Sequence, residues 1–557
     1  MFPTGWAKPA PSTFGRFLVT TDATLEWLER AIESAPDKAD LYAACAKRLA
    51  ELGRHEAALR RYDQALALDP GLADARFSRA SLLAAIGRAE ESLADLDTLE
   101  SSSRADVQEL RGAMLETLQR PAEAAQAYDS ALALNARSQA AVDGRARIAL
   151  QRKEPGAVAH CRRAVDARRG DPDIQLQMIL SVAVEIGEDA IPLLHDFVRR
   201  HPEVTSAQER LAALRAEAGD GDAFADAYVA ALRKRPRDKA LQLSYAMSLA
   251  RAGRPERALE SIEAVRASFG DDRDFMLLEA FIAIHEGLTD RAGALLDRLD
   301  DLPDAQLARG QHRLQAGRPR EAKRVLEAAV QANPTNLMTW AALAVAWRLE
   351  GDARHAWLCQ QPGFYSTCDL GLSAAQLTGL ADVLRRLHSA RSHPVGQSLR
   401  GGTQTRGSLL SRPEPEIVAL GKVLGEAVRS HVANLPPADP RHPLLRHRNS
   451  NLTFGGSWSV RLADGGFHVA HVHPGGVLSS ACYISLPEKL GEEDAQEGWL
   501  EVGRPPPELK VDLPPLATVE PRPGRLVLFP SYVFHGTRPF RSGERLSVAF
   551  DVVAGSG

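Results

Sequence analysis

From about residue 22 to residue 358, apolar positions recur every three or four residues, with Ala and Leu on one face of each segment and Arg, Asp and Glu on the other. That period belongs to amphipathic α-helices, and the segments come in pairs. In the clearest pair a first helix from Ala39 ends at Leu52-Gly-Arg, and a second ends at Leu66-Ala-Leu-Asp-Pro70, so a glycine turn joins two helices and Asp-Pro lets the chain out. From Asn451 the period changes to two. Ser457–Leu462, Phe467–His473, Val477–Leu486, Trp499–Val502, Arg525–Phe529 and Arg545–Val552 predict short strands between Gly, Pro and acidic turns, with Glu488–Glu497 as a surface loop. Short strands in such succession predict a sandwich or barrel.

The helical turn recurs at Gly53, Gly87, Gln119, Gln151, Gly187, Gly219, Gly253, Gly287, Gly317 and Gly351, at intervals of 30 to 36 residues. This unit of about 34 residues resembles the tetratricopeptide repeat. A single hairpin cannot bury its apolar face, so about ten imperfect units over 22–358 are expected to stack into an α-solenoid, a superhelix whose concave groove takes extended peptides or partner helices. The arginine pairs Arg60-Arg61, Arg162-Arg163 and Arg168-Arg169 are expected on a solvated face. His201-Pro-Glu203, the one His-x-Glu in the chain, falls at an exit between repeats, and no metal role is expected for it.

Residues 359–450 form a junction, preceded by an N-terminal extension over 1–21 and the repeats. Trp357-Leu-Cys and Phe364-Tyr365 are suited to covering the open end of the last repeat. Ser373 to Leu387 predicts an amphipathic helix with Ser373 as its N-cap, and Pro415 to Val432 predicts a second with proline in its first turn. Pro436 to Pro443 then breaks the chain before the strands over 451–557. The two helices are expected to brace the β-core, and the absence of a long linker predicts a packed interface.

Composition narrows the partners only slightly. In 557 residues, 44% are hydrophobic and 25% charged, and a formal charge of -4 gives no reason to expect nucleic acid or an anionic membrane. The five cysteines (Cys45, Cys161, Cys359, Cys368, Cys482) are scattered, which argues against a disulfide framework or a zinc site. The first residues lack a basic region followed by an apolar core, and no apolar run reaches about 18 residues. A reducing cytoplasmic location is expected.

Candidate chemistry concentrates in Gly466-Phe-His-Val-Ala-His-Val-His-Pro-Gly-Gly476, answered by Phe529-Pro-Ser-Tyr-Val-Phe-His535 and Arg545-Leu-Ser547. On an extended strand His471 and His473 point the same way, with Cα atoms roughly 7 Å apart, so their imidazoles can share a metal ion. His535 offers a third donor. The segment from His535 to Arg545 predicts a hairpin turning at Pro539–Glu544, which would bring Arg545 beside His535 with a carboxylate to find. His468 is expected on the other strand face, more at the surface than in the site.

These motifs resemble those of the iron(II)- and 2-oxoglutarate-dependent dioxygenases, in which a His-x-Asp/Glu pair and a distal His bind iron on a double-stranded β-helix. An Arg about ten residues after the distal His, often as Arg-x-Ser, binds 2-oxoglutarate. His471, His535, Arg545 and Ser547 fall on those positions, and His473 stands where that pattern has a carboxylate. Gln397-Ser-Leu-Arg-Gly-Gly-Thr-Gln-Thr405, Gly456-Ser-Trp-Ser-Val460, His471-Val-His-Pro474 and Phe529-Pro-Ser531 resemble more narrowly a bacterial branch with His-x-His that is often fused to helical repeats. The resemblance covers about residues 390–553. It implies an α plus β multidomain chain: an N-terminal all-α tetratricopeptide superhelix followed by a double-stranded β-helix, or jelly roll. It also implies Fe(II) on His471, His473 and His535, and 2-oxoglutarate on Arg545, Ser547 and the phenol of Tyr483. Arg400 and Gln404, expected in a glycine-rich turn, and His468 would border the substrate. The implied activity is hydroxylation, with a protein or peptide side chain favoured as substrate because a peptide-binding solenoid is attached. Two alternatives stay open: a three-histidine cupin-like iron oxygenase that does not use 2-oxoglutarate, and a non-enzymatic adaptor with a degenerate barrel.

Overall fold

A computed structural model of the chain describes residues 22–99, 103–152, 154–299, 303–390, 393–488 and 496–555. The extension over 1–21 and most of the surface loop expected between Glu488 and Glu497 lie outside the described residues. The chain divides into two compact units, Met1–Leu193 and Leu194–Gly557.

The first unit is helical, from Ala23–Ser34 to Pro172–Ile186. Its hairpins turn where the backbone must enter the left-handed region: Gly53 at φ 73°, Gly87 at φ 81°, and Gln119, a non-glycine, at φ 56°. Gln151 departs from the expectation, because it is the last residue of the helix Gln139–Gln151 rather than the turn. Small residues sit where helices cross. A Cβ on Gly112 or Gly144 would lie 2.7 or 2.2 Å from the Tyr128 ring, which fills the space those glycines leave.

The second unit continues the hairpins as far as Arg354–Cys359 and then turns to strands. Among the described residues there are nine strands: β1 (Ser366–Asp369), β2 (Leu399–Gln404), β3 (Leu452–His468), β4 (Leu478–Ser485), β5 (Leu500–Val502), β6 (Ala517–Val519), β7 (Arg525–Pro530), β8 (His535–Thr537) and β9 (Arg545–Ala554). They form two antiparallel sheets, β1-β7-β4-β9-β3-β2 and β6-β5-β8. The architecture is therefore all-helical tetratricopeptide repeats followed by a C-terminal antiparallel sheet region.

Three local expectations are corrected. The glycine-rich stretch around Arg400 is a strand, β2, bulged between Arg400 and Gly402, rather than a turn. The strands expected separately at 457–462 and from Phe467 are one 17-residue strand that stops at His468, so 469–473 lie beyond it. His535 and Arg545 are not the ends of a hairpin, because β8 and β9 lie in different sheets and the chain between them crosses from one to the other.

Two helices cover the outer face of the larger sheet. Ser373 closes a capping box with Gln376 at the start of Ala374–Leu387, and Pro415 occupies the first turn of Pro415–Ala433. Their Leu380, Leu384, Leu420 and Leu424 join Leu546, Val548 and Phe550 of β9 in one core that also contains Trp340, Trp347 and Leu358 of the last repeat. His442 sits inside this junction, fully buried among Trp357, Phe364 and Tyr532. Its Nδ1 accepts from the backbone N–H groups of Leu444 and Leu445, which leaves Nε2 to donate to the Leu358 carbonyl at 3.3 Å.

Burial lowers the pKa of His388, His431 and His442 from 6.5 to about 4. Below pH 6.5 the unfolded chain takes up protons at these sites while the folded chain does not, so acidification between 6.5 and about 4 favours unfolding. The urea midpoint of the full chain is expected to fall as pH drops from about 7 to about 5. A flat midpoint over that window would mean that these imidazoles gain their protons without unfolding.

Candidate metal centre

The chain just after β3 meets β8 of the smaller sheet through an isolated antiparallel bridge. His471 and His535 exchange backbone hydrogen bonds, N–H to O at 3.0 Å in both directions. Gly536 makes the approach possible, since a Cβ there would lie 2.8 Å from the His468 carbonyl and 3.1 Å from the Ala470 nitrogen. Two residues on, the His473 N–H donates to the Ser531 carbonyl at 3.0 Å, so this segment stays extended and both imidazoles point the same way.

The three rings converge. One nitrogen each from His471, His473 and His535 lies within 4.8 Å of the others. Every Nδ1 is already committed: that of His471 donates to the Val469 carbonyl at 2.9 Å, that of His535 to the Val533 carbonyl at 3.1 Å, and that of His473 to Asp551 Oδ1 at 2.6 Å. With the tautomers set this way, each Nε2 carries a lone pair, and those of His471 and His473 face one another at 3.0 Å. Two lone pairs at that distance repel unless a cation joins them, and nitrogens about 2.1 Å from one metal at right angles would stand about 3 Å apart. Burial, then repulsion from His473, lowers the pKa of His471 to about 4, and burial takes that of His535 well below its ordinary value. The His471 and His535 rings are therefore neutral near pH 7, the form that binds metal.

A second group of polar atoms lies on β9. Its alternation sends Arg545, Ser547, Ala549 and Asp551 to the cavity and Leu546, Val548, Phe550 and Val552 to the core. Arg545 is 2% exposed and its Nη1 donates to the Gly498 carbonyl at 2.8 Å, while Nε has no partner. The carboxylates that could have neutralised it are taken: Glu544 pairs with Arg385 and Arg461, and Asp551 with His473. The guanidinium stands 5.6 Å from the Tyr483 ring centre, and the buried Tyr483 hydroxyl also lacks a partner. Tyr483 is opposite Ser547 in the β4–β9 register, so a buried cation, a phenol and a hydroxyl face one space. Burying a guanidinium without a counter-charge is unfavourable by several kcal/mol in order of magnitude, and a carboxylate ligand would remove that penalty.

His468 is in the site rather than at the surface. The regular strand ends there and the face alternation lapses before His471, so its ring stacks 6.0 Å from that of His471. Ser398, part of the Gln397–Thr405 motif but given no role there, lies between them, 3.1 Å from His468 Nδ1 and 3.2 Å from His471 Nε2. Arg400 and Gln404 line the same cavity, Arg400 donating to the Gln397 and Leu399 carbonyls. Trp458 stacks on His473 with centroids 5.6 Å apart, and Phe529 lies 4.5 Å from His535. Asp551 lies 78 residues from His473 in the chain, a spacing that carries no local signal.

Three convergent imidazoles could hold a metal ion, and the buried Arg545 guanidinium beside them could receive an anion. Residues 456–551 match the family described as "Putative 2OG-Fe(II) oxygenase". Residues 45–106, 187–239, 245–305 and 303–346 match tetratricopeptide repeats. The chain thus carries tetratricopeptide repeats and a C-terminal domain of that oxygenase family. No curated protein matches it. Similar solved structures include yeast Tom70, 14% identical over 66% of this chain and 93% of that one, with a TM-score of 0.29. MamA from Desulfovibrio magneticus RS-1 is 17% identical over 26% and 85%, with a TM-score of 0.25. YrrB, a tetratricopeptide protein titled as having an unusual peptide-binding site, is 19% identical over 39% and 96%, with a TM-score of 0.24.

Replacing Gly536 by alanine should push the His468–Ala470 backbone off β8. The expected loss is about 1–3 kcal/mol in urea unfolding of the full chain. An unchanged midpoint would mean that this crossing is looser than the 2.8 Å approach implies.

Proposed function

We propose that the chain is an iron(II)- and 2-oxoglutarate-dependent dioxygenase that hydroxylates a protein or peptide side chain recruited by its tetratricopeptide groove, in a reducing cytoplasm. The observation that carries this reading is the unpaired Arg545 guanidinium beside the unpaired Tyr483 hydroxyl, a few residues of strand away from three convergent histidines. A metal site that needed no anionic cosubstrate would have no use for a buried cation left without a carboxylate.

In this reading His471, His473 and His535 hold Fe(II), and Arg545, with Ser547 and Tyr483, holds the far carboxylate of 2-oxoglutarate. The bound iron and cosubstrate supply O2-driven oxidation of an unactivated C–H bond, with release of succinate and CO2. The protein's own residues do the rest. The carbonyls of Val469 and Val533 and the Asp551 carboxylate fix each imidazole by its Nδ1–H and keep Nε2 free. Asp551 also accepts from Ser479 Oγ at 2.8 Å, so it is itself held in place. Its charge behind His473 makes that ring a stronger donor, which offsets in part the carboxylate that the His-x-His sequence lacks. Phe529 and Trp458 flank the rings and keep water from them, while His468, Arg400 and Gln404 border the substrate side.

Anaerobic addition of 2-oxoglutarate to the Fe(II)-loaded full chain is expected to produce a weak visible charge-transfer band, and admitting air to produce succinate. Arg545→Ala should weaken 2-oxoglutarate binding by about thirtyfold or more while iron still binds. Iron that binds without band or succinate would remove 2-oxoglutarate from the reaction; no iron at all would leave an adaptor. Asp551→Asn should lower iron affinity by about 10- to 100-fold without abolishing the fold. Equal affinity in that variant would mean that the carboxylate does not tune His473.

A further inference from the structure

Ser398 sets a hydroxyl against the point where the three imidazoles converge. Its Oγ is 3.2 Å from His471 Nε2 and 3.1 Å from His468 Nδ1. Among the described residues it is the one side chain outside the three histidines that hydrogen-bonds to one of their metal-facing nitrogens. The placement is fixed from the backbone. Val469 N–H donates to the Ser398 carbonyl at 2.9 Å, and the Val469 carbonyl accepts from His471 Nδ1 at 2.9 Å. One residue therefore orients both the hydroxyl and the ring it faces. His468 is held as firmly: it pairs with Leu399 in the β2–β3 register, and its N–H donates to Thr537 Oγ1 on β8 at 2.9 Å. Ser398 and His468 line the cavity along with Arg400 and Gln404, so they stand on the side assigned above to the substrate.

A hydroxyl has one hydrogen to give and two lone pairs with which to accept. Without a metal, the Ser398 hydrogen goes to the His471 Nε2 lone pair, because the Nδ1–H of that ring is spent on Val469, and Oγ accepts from His468 Nδ1–H. A metal on Nε2 takes that acceptor away. The hydrogen then turns to His468 Nδ1, as the His468 proton moves to its Nε2, and the Oγ lone pairs are left for the metal side. The three imidazoles offer nothing there, since each has one nitrogen for the metal and the other committed behind it. Water on a divalent cation is a strong donor and needs an acceptor. We propose that Ser398, backed by His468, is a positioning residue that accepts a hydrogen bond from a water held by the metal on its substrate-facing side. A carboxylate in the place of His473 would have a second oxygen for that work, and a histidine has none, so the hydroxyl takes it over. This role depends on the metal centre of the function proposed above, though not on 2-oxoglutarate. A substrate that displaces the water must break the Ser398 hydrogen bond to do so.

The test uses the full chain loaded with Mn(II), without 2-oxoglutarate or substrate, and reads the residence time of metal-bound water from oxygen-17 relaxation of the solvent. Ser398→Ala should shorten that time about three- to tenfold, the effect of one hydrogen bond, while Mn(II) affinity changes by less than about twofold. Ser398→Thr keeps the hydroxyl and should restore the wild-type value. Equal residence times in wild type and Ser398→Ala, or a shortening that Ser398→Thr does not mend, would overturn the role and make Ser398 a structural partner of His468, with the metal centre intact. A loss of Mn(II) affinity as large as the shortening would also overturn it, since the hydroxyl would then be holding the ligands and not the water. Failure of the wild-type chain to bind Mn(II) would remove the metal centre itself, and this role with it.

Discussion

The two backbone hydrogen bonds between His471 and His535 are what the rest of the site depends on. They bring the chain after β3 against β8 and set two imidazoles with centroids 4.2 Å apart. His473 follows because the same extended backbone carries it two residues further, onto the Ser531 carbonyl. A bridge of this kind tolerates no side chain at the crossing, which is why a glycine follows His535 directly. Without it the donors would belong to two independent sheets, and three nitrogens would not share one point.

β9 does two opposed jobs with one alternation. Its even-numbered residues from Leu546 to Val552 are fully buried against the bracing helices, which holds the strand rigid. Its odd-numbered residues carry the cation, the hydroxyl and the carboxylate that supports His473. Desolvation pulls the Arg545 pKa below the ordinary arginine value, a penalty a stability-optimised strand would avoid. Buried polar groups left unmatched beside a cavity mark a strand whose sequence serves a ligand as well as the fold.

Much of this was legible in the sequence. The helical hairpins declared themselves by period and by turn glycines, and the helices at Ser373 and Pro415 by their caps, because those signals are local. His471, His473, His535 and Arg545 were legible from spacing together with a family resemblance. The remainder was tertiary. β6 and β8 are three residues long, too short to display a period, and β8 pairs with β5 rather than with the strand that follows it. Alternation alone put His468 on the far strand face, because face alternation holds only while the strand does. Asp551 and Ser398 reach the site from 78 and 73 residues away from the histidines they touch.

The core that joins the last repeat, the bracing helices and the larger sheet has a consequence for how the second unit comes apart. Trp340, Leu358, Phe364, Leu384, Phe529 and Phe550 belong to one apolar cluster, with no boundary at the point where helices give way to strands. Separating the sheets from the repeats would expose that cluster on both pieces, so the natural unit of cooperativity runs across the change in secondary structure. Local opening near the histidines is then coupled to the last hairpins. A chain cut where its composition changes would leave two sticky fragments in place of two domains.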